Sequence, residues 1–401
     1  MKKNISMLTK ATMTIVVSAA CISSSLIIPC YPYIISTFRL LPADISFLVS
    51  VFLFGYLLGQ IVYSPVIQKL GYKKTLISGF LILILSNIFQ LISIKLHLFQ
   101  LFIVARFFCA LGSASGLVCI FSYAADIAVE SIALKRLVSM LFVSLTLAAY
   151  FSITVSGLII SFVGNYAIFI LLQILSVIQI ILIYIFIGDK KTSKKKTSKV
   201  YLKAYLLHFC NMKLVLASLI ASFSTIVTYL FNATGAILAI KAFHLSPKEL
   251  GLFCLFNLMG VLVGSNFYSI FLKNKKSLRI LGLALCICLL SILILTFNQA
   301  HIFSHDSPFS FFITLGILNI GTGIIYPCAS FVALYSSKCS PSASSVLSFF
   351  KIFCPALAIY IISKLDLNII NGFIYPICGA YIATIIFYVL LIFKQRNEKQ
   401  L

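Results

Sequence analysis

Two cations of this 401-residue chain lie well inside apolar runs. Arg106 sits about eight residues into one such run, and Lys351 about nine residues, or roughly 14 Å, into another. A charge at that depth is expensive in hydrocarbon, so each must face protein interior or a wetted cavity. Either could hold an anionic group. Arg106 could also be purely structural, and Lys351 could snorkel, bond to exposed carbonyls or carry a coupled proton. The eight acids, Asp44, Asp126, Glu130, Asp189, Glu249, Asp306, Asp366 and Glu398, all fall outside the middle of an apolar run. A buried carboxylate is the usual proton carrier inside an apolar run, and none is found. His97, His208, His244, His301 and His305 stand in loops or at the ends of runs, which removes histidine as a buried proton carrier. The twelve cysteines are scattered singly, and the Cys286/Cys288 pair has no second pair at zinc spacing, so no metal site or cofactor is implied.

The elements that must position these residues follow from composition. Apolar residues make up 61% of the chain and charged residues only 10%, too few to cover a soluble domain of this size. Uncharged apolar stretches of about 18 or more residues read as membrane-spanning helices. The chain divides into spans over 11–37, 46–67, 75–94, 98–123, 137–161 and 166–188, then 214–240, 250–272, 278–297, 309–335, 342–363 and 369–393. The expected fold is all-α, with twelve transmembrane helices in two six-helix pseudo-symmetric halves. A first half of 1–188 and a second of 213–401 are joined by a basic cytoplasmic linker over 189–212. With both termini cytoplasmic, inside segments and adjoining span ends hold 24 of the 31 Lys and Arg residues, as positive-inside topology requires. The net charge of +23 is therefore a topology signal rather than a nucleic-acid surface. The lipid bilayer and a small-molecule substrate are the expected partners, and a monomer is expected.

The halves echo each other. Gly55-x-x-x-Gly59 followed by Tyr63-Ser64 matches Gly260-x-x-x-Gly264 followed by Tyr268-Ser269, at a constant offset of 205 residues. Such a repeat is the architecture of transporters whose halves rock around a midplane site, although glycines four apart also serve close helix packing.

Several segments carry a resemblance. Gly59 to Lys74 (GQIVYSPVIQKLGYKK) is similar to GQxxYGPLSDRxGRR, and Ala105 to Gly116 (ARFFCALGSASG) to ARxLQALGAxxG. Pro29-Cys30-Tyr31-Pro32, Phe253 to Gly260, Gly323 to Leu334 and Ser342 to Lys351 supply weaker matches in the right order. Together they resemble the major facilitator superfamily, and within it the Bcr/CflA-like drug:proton antiporters of the bacterial inner membrane. The resemblance implies a secondary active transporter that exports small organic compounds by alternating access, with protons as the coupling ion, and not an enzyme. It assigns conformational roles to Gln68, Lys69, Gly71, Lys73 and Lys74, to Asp126 as a substitute partner for Lys69 or Lys73, and to Gly157. Arg106, Lys351, Ser25, Tyr33, Tyr229, Asn257 and Tyr326 are the candidate substrate contacts. The sequence also departs from the family. Gln68 stands where an acidic latch residue is expected, Ser25 where an aspartate is common, and Ala149, Ile153 and Ser156 where the fifth-span motif has two prolines and a glycine. Arg106 and Lys351 would then give a central cavity a positive field, which favours an anionic or zwitterionic substrate. An uncoupled facilitator of anions or metabolites and a non-transporting membrane sensor stay open beside the exporter. No Walker loop or nucleophile elbow suggests a pump or an enzyme.

Overall fold

The computed structural model describes residues 6–127, 131–188, 209–268, 277–297, 308–335, 341–365, 368 and 370–400. Among these, twelve helices are long and apolar enough to cross a membrane. Hydrocarbon offers no partner to a backbone N–H or C=O, so a spanning segment of this composition must close its hydrogen bonds internally as a helix. The helices are α1 (Met7–Phe38), α2 (Pro42–Leu70), α3 (Tyr72–Lys95), α4 (Phe99–Ile127), α5 (Ser131–Val163) and α6 (Tyr166–Phe186). They continue as α7 (Met212–Phe243), α8 (Pro247–Phe267), α9 (Ser277–Phe297), α10 (Pro308–Tyr335), α11 (Pro341–Lys364) and α12 (Asn371–Gln400). The number and order agree with the sequence reading, but the bounds do not everywhere. α1, α2 and α5 begin four to six residues earlier than expected, and α12 runs on to Gln400. Helical hydrogen bonding continues past the apolar stretch into its polar flanks, where hydropathy gives no signal. Residues 269–272, expected to end the eighth span, lie outside the described residues.

The chain forms two compact units, Met1–Leu41 with Leu48–Lys196, and Pro42–Phe47 with Thr197–Leu401. Burial repeats between them. α1 and α7 are the most enclosed spans of their sets (67% and 72% buried), α4 and α10 come next (61% each), and α6 and α12 are the least enclosed (33% and 22%). The first, fourth and sixth positions thus keep the same rank of enclosure in both sets, as expected of a duplicated architecture. The glycine repeat has the same origin. A Cβ on Gly55 would meet the Phe107 carbonyl and one on Gly260 the Gly316 carbonyl; Gly59 faces Leu111 and Gly264 faces Ile320. The glycines are 205 residues apart and their contacts 209 apart, so α2 lies on α4 as α8 lies on α10, backbone against backbone.

The carboxylates are taken up at helix ends. Asp44 lies in the first turn of α2, where the helix dipole favours it. Glu249 closes a capping box with Ser246 at the start of α8, accepting from the Ser246 backbone N–H at 2.9 Å. Gly71 joins α2 to α3 at φ 81°, a backbone conformation that glycine adopts without strain.

Candidate functional site

In the first unit the site grows from a broken helix. α1 is helical over Met7–Val17 and Ala19–Ser25, passes through a 3-10 turn at Ile28–Cys30, and resumes over Tyr31–Phe38. Pro29 has no N–H to give the Ser25 carbonyl, and the Cys30 N–H donates to the Ile27 carbonyl at 3.0 Å instead of reaching back to Leu26. Irregular backbone at membrane depth persists only where other groups satisfy it. Three neighbouring helices supply them. Gln179 of α6 donates from Nε2 to the Ile15 carbonyl at 2.9 Å. Arg106 of α4 donates from Nη1 to the Ser23 carbonyl at 2.9 Å. Ser156 of α5 donates from Oγ to the Leu26 carbonyl. Ser156 is one of the departures noted in the fifth span, and its hydroxyl gives that departure a purpose; the buried Gly157 follows it. Lacking the two prolines, α5 runs as one unbroken helix.

Arg106 is 1% exposed, and its guanidinium lies 4.5 Å over the Phe52 ring of α2. The Cys109 thiol lies beside it and leads into a polar seam between α3, α4 and α6. There Cys109 donates to Asn87 Oδ1 at 3.6 Å, and Asn87 Nδ2 donates to Ser176 Oγ at 3.2 Å. An arginine at a span centre costs about 2.5–3.5 kcal/mol on insertion scales. One carbonyl and one aromatic face offset only part of that. Ser25, also a candidate from sequence, is 1% exposed on the same broken stretch. Tyr33 is half-buried and packs edge-on to Tyr166 at 5.7 Å.

In the second unit the helix in the corresponding position, α7, is also interrupted. It is α-helical over Met212–Leu230, forms a π-turn at Phe231–Gly235 and resumes as Ala236–Phe243. Interrupted spans in matching positions of two repeats are the structural pointer to a transport site. Asn232, within the π-turn, is 4% exposed and its Oδ1 has no partner among the described residues. Lys351 of α11 is 5% exposed, with Nζ 3.8 Å over the Tyr326 ring of α10. Pro355, four residues on, cannot donate to the Lys351 carbonyl, which instead accepts from Thr225 Oγ1 of α7 at 2.7 Å. Tyr229 is half-buried one turn after Thr225. Asn257 takes a different place from that expected of a ligand contact. It is 1% exposed, and its Oδ1 accepts from Asn319 Nδ2 at 3.2 Å, joining α8 to α10.

The loop signature also differs from its expected pairing. The Asp126 carboxylate accepts from the Tyr72 hydroxyl at 2.6 Å, whereas the Lys73 ammonium lies 4.6 Å over the Tyr184 ring. Neither Lys73 nor Lys69 bonds to Asp126 among the described residues. Lys69 and Lys74 point to the surface, and Gln68 is half-buried. Sequence reasoning passed over Tyr72, Thr225 and Asn232, and noted Ser156 only as a departure from the fifth-span motif. The one signal available was proline: Pro355 frees the Lys351 carbonyl that Thr225 finds, and Pro29 breaks α1 where the Ser23 and Leu26 carbonyls accept from Arg106 and Ser156.

Twelve described spans in two related halves, each opening with an interrupted helix, have the architecture of a multi-pass membrane transporter. The Major Facilitator Superfamily model matches residues 13–359, and the chain belongs to that superfamily of secondary transporters. A solved structure described as the in meso crystal structure of the POT family transporter PepTSo is similar at a TM-score of 0.74, covering 98% of each chain at 12% identity. At that identity the likeness concerns the fold. No curated protein sequence matches the chain.

Proposed function

We propose that the chain moves small organic solutes across the bacterial inner membrane by alternating access, and that export is its direction. The observation supporting this most is the pair of interruptions in α1 and α7, each with a buried cation on a helix packed against it. Export and the Bcr/CflA-like assignment rest on the loop and fourth-span motifs of the sequence. In this reading Arg106, Ser25, Lys351 and Tyr326 contact substrate, and Gly71, Tyr72 and Asp126 hold one conformation at the inner face. Residues 1–188 and 213–401 form the two moving bodies, 189–212 is the basic cytoplasmic linker, both termini are cytoplasmic, and the transporter acts as a monomer.

A second reading, an uncoupled facilitator of organic anions, is favoured by one observation. The carboxylates of Asp44, Asp126 and Glu249 lie at span ends, whereas Arg106 and Lys351 lie well within theirs. The deciding experiment is flux in proteoliposomes across a panel of cationic, neutral and anionic solutes, with and without an imposed pH gradient. Coupled export requires flux that an inward proton gradient accelerates. Flux indifferent to the gradient establishes the facilitator, and absence of flux for every solute would leave the chain a sensor or scaffold.

A further inference from the structure

A single hydrogen bond does not satisfy a buried guanidinium, which carries five N–H donors. Arg106 Nη1 donates to the Ser23 carbonyl, the Cys109 thiol lies beside the group, and Phe52 covers one face. Nε has no acceptor among the described residues. Two hydroxyls on the same broken stretch of α1 share this condition: Ser25 Oγ and Tyr31 Oη are without partners, and each residue is 1% exposed. Tyr31 is close enough to Arg106 for direct electrostatic interaction, and Ser25 is two residues from the carbonyl that the guanidinium binds. No carboxylate among the described residues reaches the guanidinium. The interior of the first unit therefore holds a full positive charge and three unpaired donors, at a place where the backbone is already irregular.

We propose that Arg106, Ser25 and Tyr31 form an occluded monoanion site that takes the carboxylate group of an organic acid. Arg106 Nε, Ser25 Oγ and Tyr31 Oη can all donate, and a carboxylate accepts from several donors at once while supplying the missing charge. Neutral water would satisfy the hydroxyls but leave the charge uncompensated. A lipid phosphate is excluded by enclosure, since none of the three side chains reaches the protein surface. Naming the ligand an organic acid rests on the transporter reading; the site itself rests on the first unit alone.

The test is ligand-dependent thermal unfolding of the purified full-length chain at constant ionic strength. A thiol-reactive dye reports it well, because the chain has twelve cysteines and no tryptophan. Formate and acetate are the probes, and chloride is the comparison anion. Wild type should show a saturable rise in unfolding temperature with formate or acetate. Arg106→Gln should lose it. Ser25→Asp should also lose it, because an internal carboxylate fills the site, and its own unfolding temperature should exceed that of Arg106→Gln. Should Ser25→Asp fail to fold, Ser25→Ala should move the half-maximal concentration up about tenfold, the loss of one hydrogen bond to a charged ligand. No saturable shift in wild type, an equal shift in Arg106→Gln, or a shift with chloride alone would overturn the assignment. Flux in proteoliposomes separates the two levels: protection without flux sinks the transport reading and leaves the site, whereas flux without protection sinks the site and leaves transport.

Discussion

Replacing Gly260 by alanine tests the backbone contact on which the repeat is built. In an isolated helix this change is favourable by up to about 1 kcal/mol, because alanine restricts the unfolded chain more than glycine does. Within α8 the new Cβ would fall on the Gly316 carbonyl and 3.0 Å from Asn319 Cβ, both on α10. A backbone carbonyl cannot rotate away, so the two helices must separate. Separation strains the 3.2 Å Asn319–Asn257 hydrogen bond, and buried interhelical bonds of this kind average about 0.6 kcal/mol. Overpacking adds about 1–3 kcal/mol. The clash exceeds the propensity gain, and Gly260→Ala should lose about 1–2 kcal/mol net, read as a fall in unfolding temperature by the thiol-dye assay. Gly379 of α12 is the control, since a Cβ there meets nothing within 4 Å and only the propensity gain remains. Gly379→Ala should therefore hold or raise the unfolding temperature. Gly55→Ala should repeat the loss in the first unit, its Cβ meeting the Phe107 carbonyl. The reasoning is refuted if Gly260→Ala proves as stable as Gly379→Ala.

Three further outcomes are expected. Thr225→Val removes the hydroxyl that donates to the Lys351 carbonyl beside Pro355 and should cost about 0.5–1.5 kcal/mol. Adding Pro355→Ala restores the helical N–H and should recover part of that loss, and a double-mutant cycle by thermal unfolding measures the coupling. Tyr72→Phe removes the 2.6 Å bond to Asp126 and should lower stability by up to about 1.5–3 kcal/mol, whereas Tyr72→Arg, which keeps a donor there, should retain most of it; urea unfolding of the two variants distinguishes them. Gly71→Ala and Gly71→Asn both place a Cβ at φ 81°, ψ 172°, a region essentially reserved to glycine, and each should slow flux in proteoliposomes and lower stability by about 1–3 kcal/mol; a wild-type unfolding temperature in either variant would refute this.

The twelve spans, the repeat and the superfamily were legible in residue order because hydrocarbon admits one backbone solution, and its length and polarity limits are written in hydropathy. Arg106 and Lys351 stood out for the same reason, as charges where none is cheap. What they bind could not be read there. The Ser23, Leu26 and Lys351 carbonyls become available through local breaks near Pro29 and Pro355, which the sequence does show. Which side chain then reaches each of them depends on how α4, α5 and α6 pack on α1, and how α7 packs on α11. The same holds for Asp126, which accepts from the Tyr72 hydroxyl, and for Asn257, which joins two helices. Hydrogen bonds are satisfied across tens to more than a hundred residues of chain, so hydropathy places the helices in the membrane while tertiary packing chooses the donor for each freed carbonyl.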